Sequence, residues 1–272
     1  MDCSVELSPS LYNELARRAT ASGETVDHVA RMALAEHLQL RHSTLFQVST
    51  ATALVEGVYE KAVTARYLMR HGDFGLGTFA DLDGEMTVID GHCYQTRSTG
   101  TREAPPDAPV PFAVVTTFHP EHEETLTRVQ SFDDLRGQLN ALQKPENHFS
   151  AVRIDGRFDH IHTRAVCKVR SGVGLVDATD SQVEFDYDDV EGTIVGFWTP
   201  TYAKTINVAG WHLHMLNANR DAGGHLLEVR GENLTLQMQH LAEFHMSLPE
   251  TAAFLQADLT RDPTEALDKA ER

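Results

Sequence analysis

The chain is poor in cysteine and in basic residues, and it contains no long apolar run. Its 272 residues include only Cys3, Cys93 and Cys167. An odd number without CxxC spacing excludes a disulfide framework and a thiolate metal site, and it suits a reducing compartment. No stretch approaches the eighteen or so apolar residues of a membrane span. Residues 1–10 lack the basic and apolar regions of an export signal, so the expectation is a cytoplasmic protein without a membrane partner. Lys and Arg total 23 against 40 Asp and Glu, a formal net charge of −17. Phosphate binding needs clustered cations, which argues against nucleic acid or an anionic membrane as a general partner. Any anionic substrate must therefore be drawn in by a local cation. The apolar content of 41% is adequate for a real core, in one large domain or two modest ones.

Histidine is plentiful, with fifteen in the chain. Trp211-His212-Leu213-His214 puts two imidazoles at i and i+2, on one face if the segment is a strand. Asn217, Asn219, Asp221, Gly223 and Gly224 are turn formers, so the segment reads as a hairpin whose second strand opens at Gly224 or His225. A four-residue loop at 218–221 sets His225 directly opposite His214, with Cβ atoms roughly 5 Å apart. Three neutral nitrogens leave a Zn2+ one open position, the catalytic rather than the structural pattern. Cobalt, nickel and copper suit the same donors.

Residues 1–40 differ from the rest. Residues 3–7 alternate like a short strand, Ser8-Pro9 opens a helix toward Ser22-Gly23, and Thr25 starts a second helix through Leu38. The unit resembles a ribbon-helix-helix module, which forms as an intertwined dimer. Its groove-facing strand residues are Asp2, Ser4 and Glu6, and the carboxylates of Asp2 and Glu6 repel phosphate. The segment therefore reads as an oligomerisation appendage, giving a homodimer or higher homo-oligomer.

From Ser43 onward the pattern is mostly β. Asp83-Gly84 and Asp90-Gly91 separate alternating runs at 78–82, 85–89 and 92–96, a meander with two tight turns. Asp155-Gly156 repeats the signal between runs at 149–153 and 157–169, hinting at two related halves divided near 105–109 or 145–150. Helices are expected at 50–68, at 131–143 and at 251–259. The acidic stretch at 182–190 reads as a solvated strand edge or loop, not a second metal site. The expected fold is α+β, with two sheet-rich subdomains of mixed or antiparallel strands, flanking helices and the N-terminal appendage.

Several segments together resemble the α-acetolactate decarboxylase family. They are Leu45-Phe46-Gln47-Val48-Ser49-Thr50, the run from His71 through Gly72-Asp73-Phe74-Gly75 to Phe79, Leu82-Asp83-Gly84-Glu85-Met86, Arg153-Ile154-Asp155-Gly156, Thr163-Arg164, the run from Glu191 to Pro200, and the histidine hairpin. The resemblance covers residues 43–272. It implies a zinc enzyme, a carboxy-lyase that converts 2-acetolactate to acetoin and carbon dioxide through a metal-stabilised enediolate. It further implies His212, His214 and His225 as metal ligands, Glu85, Arg164 and Glu271 as catalytic residues, and Thr78 with Arg164 against the substrate. Cys167 stands where the family usually has proline, and Asn219-Arg220 replaces an acidic-Arg pair.

The residue types suit that chemistry. Loss of carbon dioxide beside a ketone leaves negative charge that a divalent cation stabilises. Arg164 offers a permanently charged planar fork for a carboxylate, and Glu85, sharing a strand face with Thr87 and Ile89, is placed to deliver a proton. Two other readings stand beside this one. Nickel-sensing repressors also join a ribbon-helix-helix to a His-rich domain, which suggests a metal-responsive regulator, and a related 2-hydroxy-3-oxo acid is an alternative substrate. His160 and His162 form a second HxH without a third ligand at hairpin spacing and are assigned no metal.

Overall fold

Ser8 opens the N-terminal unit by capping a helix. Its Oγ accepts from the Leu11 amide at 3.4 Å, Pro9 occupies the first turn, and Gly23 closes the helix in the left-handed conformation at φ 76°. This is α1 (Pro9–Ser22), and α2 (Val26–Leu38) follows with Thr25 Oγ1 accepting from the His28 amide. The structure is a computed structural model that describes residues 5–38, 43–169, 172–179 and 182–270, without the Glu36 side chain. Residues 1–42 make one unit and 43–272 another. The strand expected at 3–7 is not formed at Val5–Leu7, which has no regular structure. A ladder needs a partner strand, and a single copy of this segment supplies none. Asp2, Cys3 and Ser4 lie outside the described residues.

The second unit begins with β1 (Thr44–Val48), α3 (Ala51–Val55), β2 (Val63–Thr64) and α4 (Ala65–Leu68). The single helix expected over 50–68 is thus two short ones. Gly57 adopts φ 78°, and a Cβ there would lie 2.9 Å from the Val173 carbonyl oxygen, so the chain turns where a helix would continue.

Next come β3 (Phe74–Thr78), β4 (Glu85–Ile89), β5 (His92–Arg97), β6 (Gly100–Glu103), β7 (Pro109–Val110) and β8 (Phe112–Thr116). Asp90-Gly91 forms the tight turn that the sequence predicts, whereas Asp83-Gly84 ends a longer connection that closes with Thr78 opposite Glu85. The first run differs, because β3 ends at Thr78 and Ala80–Leu82 forms a 3-10 turn instead of strand. The chain continues through β9 (His122–Val129), α5 (Phe132–Leu142), β10 (Phe149–Ala165), α6 (Leu175–Thr179), β11 (Val183–Thr199), β12 (Gly210–Asn217), β13 (Gly223–Leu241), β14 (Glu243–Ser247), α7 (Ala252–Gln256) and α8 (Thr264–Ala270). The helix expected at 251–259 is the shorter α7.

Asp155-Gly156 is not a turn. β10 runs through it, with Gly156 opposite Gly192 on β11, while the pairing with β13 shifts register between Asp155 and Phe158. Glycine leaves space there for Leu234, whose Cδ2 lies 2.7 Å from where a Cβ would stand. The repeat that hinted at two related halves is therefore one turn and one bulge.

Seven strands form a sheet in the order β14-β1-β8-β3-β4-β5-β6, antiparallel except for β1 with β14. A second sheet runs β10-β11-β12-β13-β9, and β10 also pairs with β13, so four strands close on themselves. The chain passes from the seven-stranded sheet to the other between Thr116 and His122, not near 105–109 or 145–150, and returns after Leu241, where β14 joins β1.

Strand alternation assigns the faces. Trp211, Leu213 and Met215 of β12 turn into the closed sheet beside Val152, Ile154 and Leu226. The intervening His212, His214 and Leu216 are left on the opposite face. There Leu216, Val195 and Phe197 pack with Leu76, Phe112 and Ile89 of the seven-stranded sheet. The apolar layer between the sheets thus carries the histidine face of β12 against the Glu85, Thr87 and Ile89 face of β4.

Candidate metal centre and active site

The histidine hairpin folds in the register read from its turn residues. His214 pairs with His225, and the Asn217 Oδ1 accepts from the amides of Asp221 and Ala222 at 3.0 and 3.1 Å, closing the loop at 218–221. Gly224 lets β13 approach β10, because a Cβ there would stand 2.4 Å from the Arg164 carbonyl oxygen, and its φ of 137° disfavours any side chain. His225 lies opposite Arg164 across that strand pair. One close backbone approach therefore joins the histidine cluster to the arginine.

His212 Nε2 lies 3.2 Å from His214 Nε2 and 3.2 Å from His225 Nδ1. A tetrahedral metal with bonds of about 2.0 Å separates its ligand nitrogens by about 3.3 Å, so the spacing fits one ion. The three ligand atoms lie within 4.8 Å of one another, and among the described residues no other group of His, Cys, Asp or Glu meets this condition. His214 is directed by its second nitrogen, as Nδ1 donates to the Met86 carbonyl oxygen at 2.8 Å and leaves Nε2 with its lone pair inward. That bond ties β12 to β4 across the two sheets. The donor set, three imidazoles fixed from behind, fits Zn2+ or a similar divalent ion.

Burial keeps the imidazoles neutral. It is the main reason that His212 titrates at about 3, with the positive charge of Arg164 adding to the effect. His214 is also held well below its usual range, by burial first and then by His212 and Arg164, against the opposing bond to Met86. A base whose folded pKa lies below its unfolded value of about 6.5 gains a proton on unfolding, so its stabilising contribution is full above pH 6.5 and falls as the pH drops toward 3. For His212 that is about a tenfold fall in the folding equilibrium per pH unit across the window, and the depressed His214 acts in the same direction. Thermal unfolding of metal-free protein should show a steep loss of stability below pH 6.5, and a shallower one in His212→Gln. Equal slopes in the two proteins would contradict this assignment.

Glu85 is buried at 6% exposure. One carboxylate oxygen accepts from the Val166 amide at 3.3 Å, and the other lies 3.7 Å from His214 Nε2. The turn before it is clamped. Thr78 Oγ1 donates to the Gly84 carbonyl at 2.9 Å, Gln95 Nε2 donates to the Asp83 carbonyl at 2.5 Å, and Arg97 pairs with the Asp83 carboxylate. The Asp81 amide donates to the Tyr59 carbonyl at 3.0 Å, and the Asp81 and Leu82 carbonyls accept from the Val169 and Gly84 amides at 2.8 Å, which holds Asp81 and Leu82 at φ 60° and 51°. Such left-handed residues cost on the order of 1 kcal/mol or more each, so the turn is over-determined where it presents Glu85.

Thr78, Glu85, Arg164, His212 and His225 line one cavity, with apolar walls from Leu54, Leu82, Phe112 and Val208. Arg164 is buried at 3%, its Nη1 donates to Gln182 at 2.8 Å, and its Nε has no hydrogen-bond partner among the described residues. Leu267 and Ala270 of α8 complete the wall. Glu271, the next residue, lies outside the described residues. Sequence reasoning missed Gln182, the Met86 carbonyl and the apolar walls. A carbonyl and a loop glutamine carry no signature, and the walls come from segments far apart in the chain. His160 and His162 instead pair with Asp188, Asp186 and Glu184 on the outer side of β10 and β11.

Comparison with known proteins matches the alpha-acetolactate decarboxylase family model to residues 45–261. The chain belongs to that family. The alpha-acetolactate decarboxylase of Methylococcus capsulatus is 41% identical over 229 residues, covering 84% of this chain and 88% of the relative. The Brevibacillus brevis enzyme is 40% identical over 231 residues, 84% and 81% of the two chains. The crystal structure of the enzyme from Bacillus subtilis strain 168 superposes with a TM-score of 0.81 at 35% identity, covering 84% of this chain and 99% of that one. Membership of the alpha-acetolactate decarboxylase family makes this chain a carboxy-lyase on an α+β scaffold. The matched region excludes α1 and α2. Among the described residues no helix is long and apolar enough to cross a membrane.

Proposed function

We propose that this chain decarboxylates 2-acetolactate to acetoin with a divalent cation, most simply Zn2+, held by His212, His214 and His225. The observation that carries the reading is the meeting of three ligand nitrogens beside Glu85 and Arg164 in one cavity. When bound, the cation supplies Lewis-acid stabilisation of the negative charge left as carbon dioxide departs. Arg164 orients the substrate carboxylate through its planar cationic fork of donors. Its burial strengthens that attraction within an otherwise acidic protein.

Glu85, reprotonated from solvent in each turnover, delivers the proton that replaces carbon dioxide to the face of the enediolate on its side, and so fixes the handedness of acetoin. The apolar walls exclude water that would otherwise compete as a proton source. The Thr78 hydroxyl is engaged with Gly84, so its part is to hold the turn and present its methyl group to the substrate. To Glu271, one residue beyond Ala270 on the wall, we assign a proton-shuttling role.

Incubation of metal-replete protein with racemic acetolactate should release acetoin and carbon dioxide. No acetoin from folded, metal-loaded protein would overturn the reading. Acetoin absent while a homologous 2-hydroxy-3-oxo acid is consumed would keep the reaction and change the substrate.

For residues 1–40 we propose association with a second copy, giving at least a homodimer in the cytoplasm. Among the described residues of this unit Leu15, Ala19 and Ala35 are buried, whereas Val5, Leu11, Tyr12, Leu34 and Leu38 are exposed. So small a core does not stabilise a unit of this size without a partner surface. Removing residues 1–42 should lower the assembly mass in solution by more than the deleted segments weigh, with turnover per chain retained. An assembly with the same number of chains would contradict the assignment.

A further inference from the structure

Arg164 bears a positive charge in a chain rich in acids, yet among the described residues it forms no ion pair. Its cross-strand neighbour on β11 is Glu184. That carboxylate does not reach it. Gln182 stands between them, its Oε1 accepting from Arg164 Nη1 at 2.8 Å and its Nε2 donating to Glu184 Oε1 at 2.9 Å. The second Glu184 oxygen bonds His162 Nε2 at 3.0 Å, so both ends of the carboxylate are engaged away from the arginine.

We propose that Gln182 is a positioning residue, a neutral clamp that fixes the Arg164 guanidinium without compensating its charge. The proposal rests on the reading of Arg164 as the group that binds the substrate carboxylate. A carboxylate at position 182 would hold the guanidinium equally well, but it would form a charge-assisted pair that competes with an anionic substrate. An apolar side chain there would leave the charge available and the fork unfixed. An amide alone meets both requirements, because its oxygen accepts one bond while its nitrogen turns the neighbouring acid aside. The second HxH gains a purpose in the same chain of contacts, since His162 holds Glu184 in the orientation that Gln182 needs.

The test is steady-state kinetics on acetolactate with metal-loaded, full-length protein, comparing wild type, Gln182→Glu, Gln182→Met and Arg164→Lys. Gln182→Glu should raise KM about tenfold while kcat stays within about threefold, the pattern of lost uniform binding. Gln182→Met should instead lower kcat by about fivefold or more, with a smaller change in KM, because the fork is no longer held. A merely structural role gives both variants the same pattern. Folded Gln182→Glu with KM within twofold of wild type overturns the proposal, and if that variant does not fold, unchanged kcat in Gln182→Met overturns it. If wild type makes no acetoin, or if Arg164→Lys leaves KM and kcat unchanged, the underlying reading fails instead.

Discussion

Replacing His225 with alanine should strip the protein of its cation and lower acetoin formation by about a thousandfold or more. The expectation follows from the geometry. His225 Nδ1 supplies one of three nitrogens spaced for a single ion. The other two sit on the neighbouring strand and cannot close a site alone. A Lewis acid acting on the developing charge contributes several kcal/mol, and each 1.36 kcal/mol is tenfold in rate. The fold should persist, because the register of β13 against β10 and β12 depends on backbone pairing and on the glycines before His225, not on its ring. Elemental analysis beside an acetoin assay checks both parts. One bound metal per chain with wild-type turnover would remove His225 from the centre.

Glu85→Gln should produce the second largest effect, a fall in kcat of about a hundredfold to ten-thousandfold with metal content unchanged. The amide preserves volume and can still accept the Val166 amide bond that orients the side chain. It cannot give up a proton in the way a carboxylic acid does. The difference between the two proteins therefore isolates proton delivery from packing. Residual acetoin from the variant should lose its handedness, since solvent then supplies the proton from either face. Chiral chromatography of the product reads this directly. Turnover within tenfold of wild type, or a product of undiminished optical purity, would assign the protonation to another group.

Much of the centre was legible because its geometry is local. His212 and His214 are two residues apart, and the loop at 218–221 is short enough that turn chemistry alone set His225 opposite His214, the register that forms. The strand after Asp83-Gly84 was readable for the same reason, and with it the face that Glu85 shares with Ile89. The failures have a common cause. Asp155-Gly156 looks identical to the other Asp-Gly pairs, but its neighbours Gly192 and Leu234 lie far along the chain, and their packing carries β10 through the pair as continuous strand with a bulge. The helix at 50–68 breaks at Gly57 because a distant loop at Val173 occupies the space beside it. The Met86 carbonyl that directs His214 and the Gln182 amide that holds Arg164 were invisible in the sequence, since neither contact is specified by spacing. The N-terminal helices were announced by Ser8-Pro9, Gly23 and Thr25, whereas the strand expected before them is not formed at Val5–Leu7.

Metal titration of chelated wild-type protein bears most directly on the centre. Stripped protein should be folded at neutral pH and inactive, and acetoin formation should rise linearly with added Zn2+ to a plateau at one equivalent per chain. Full turnover in protein shown by elemental analysis to be metal-free, or a plateau only after several equivalents, would contradict a single cation held by His212, His214 and His225.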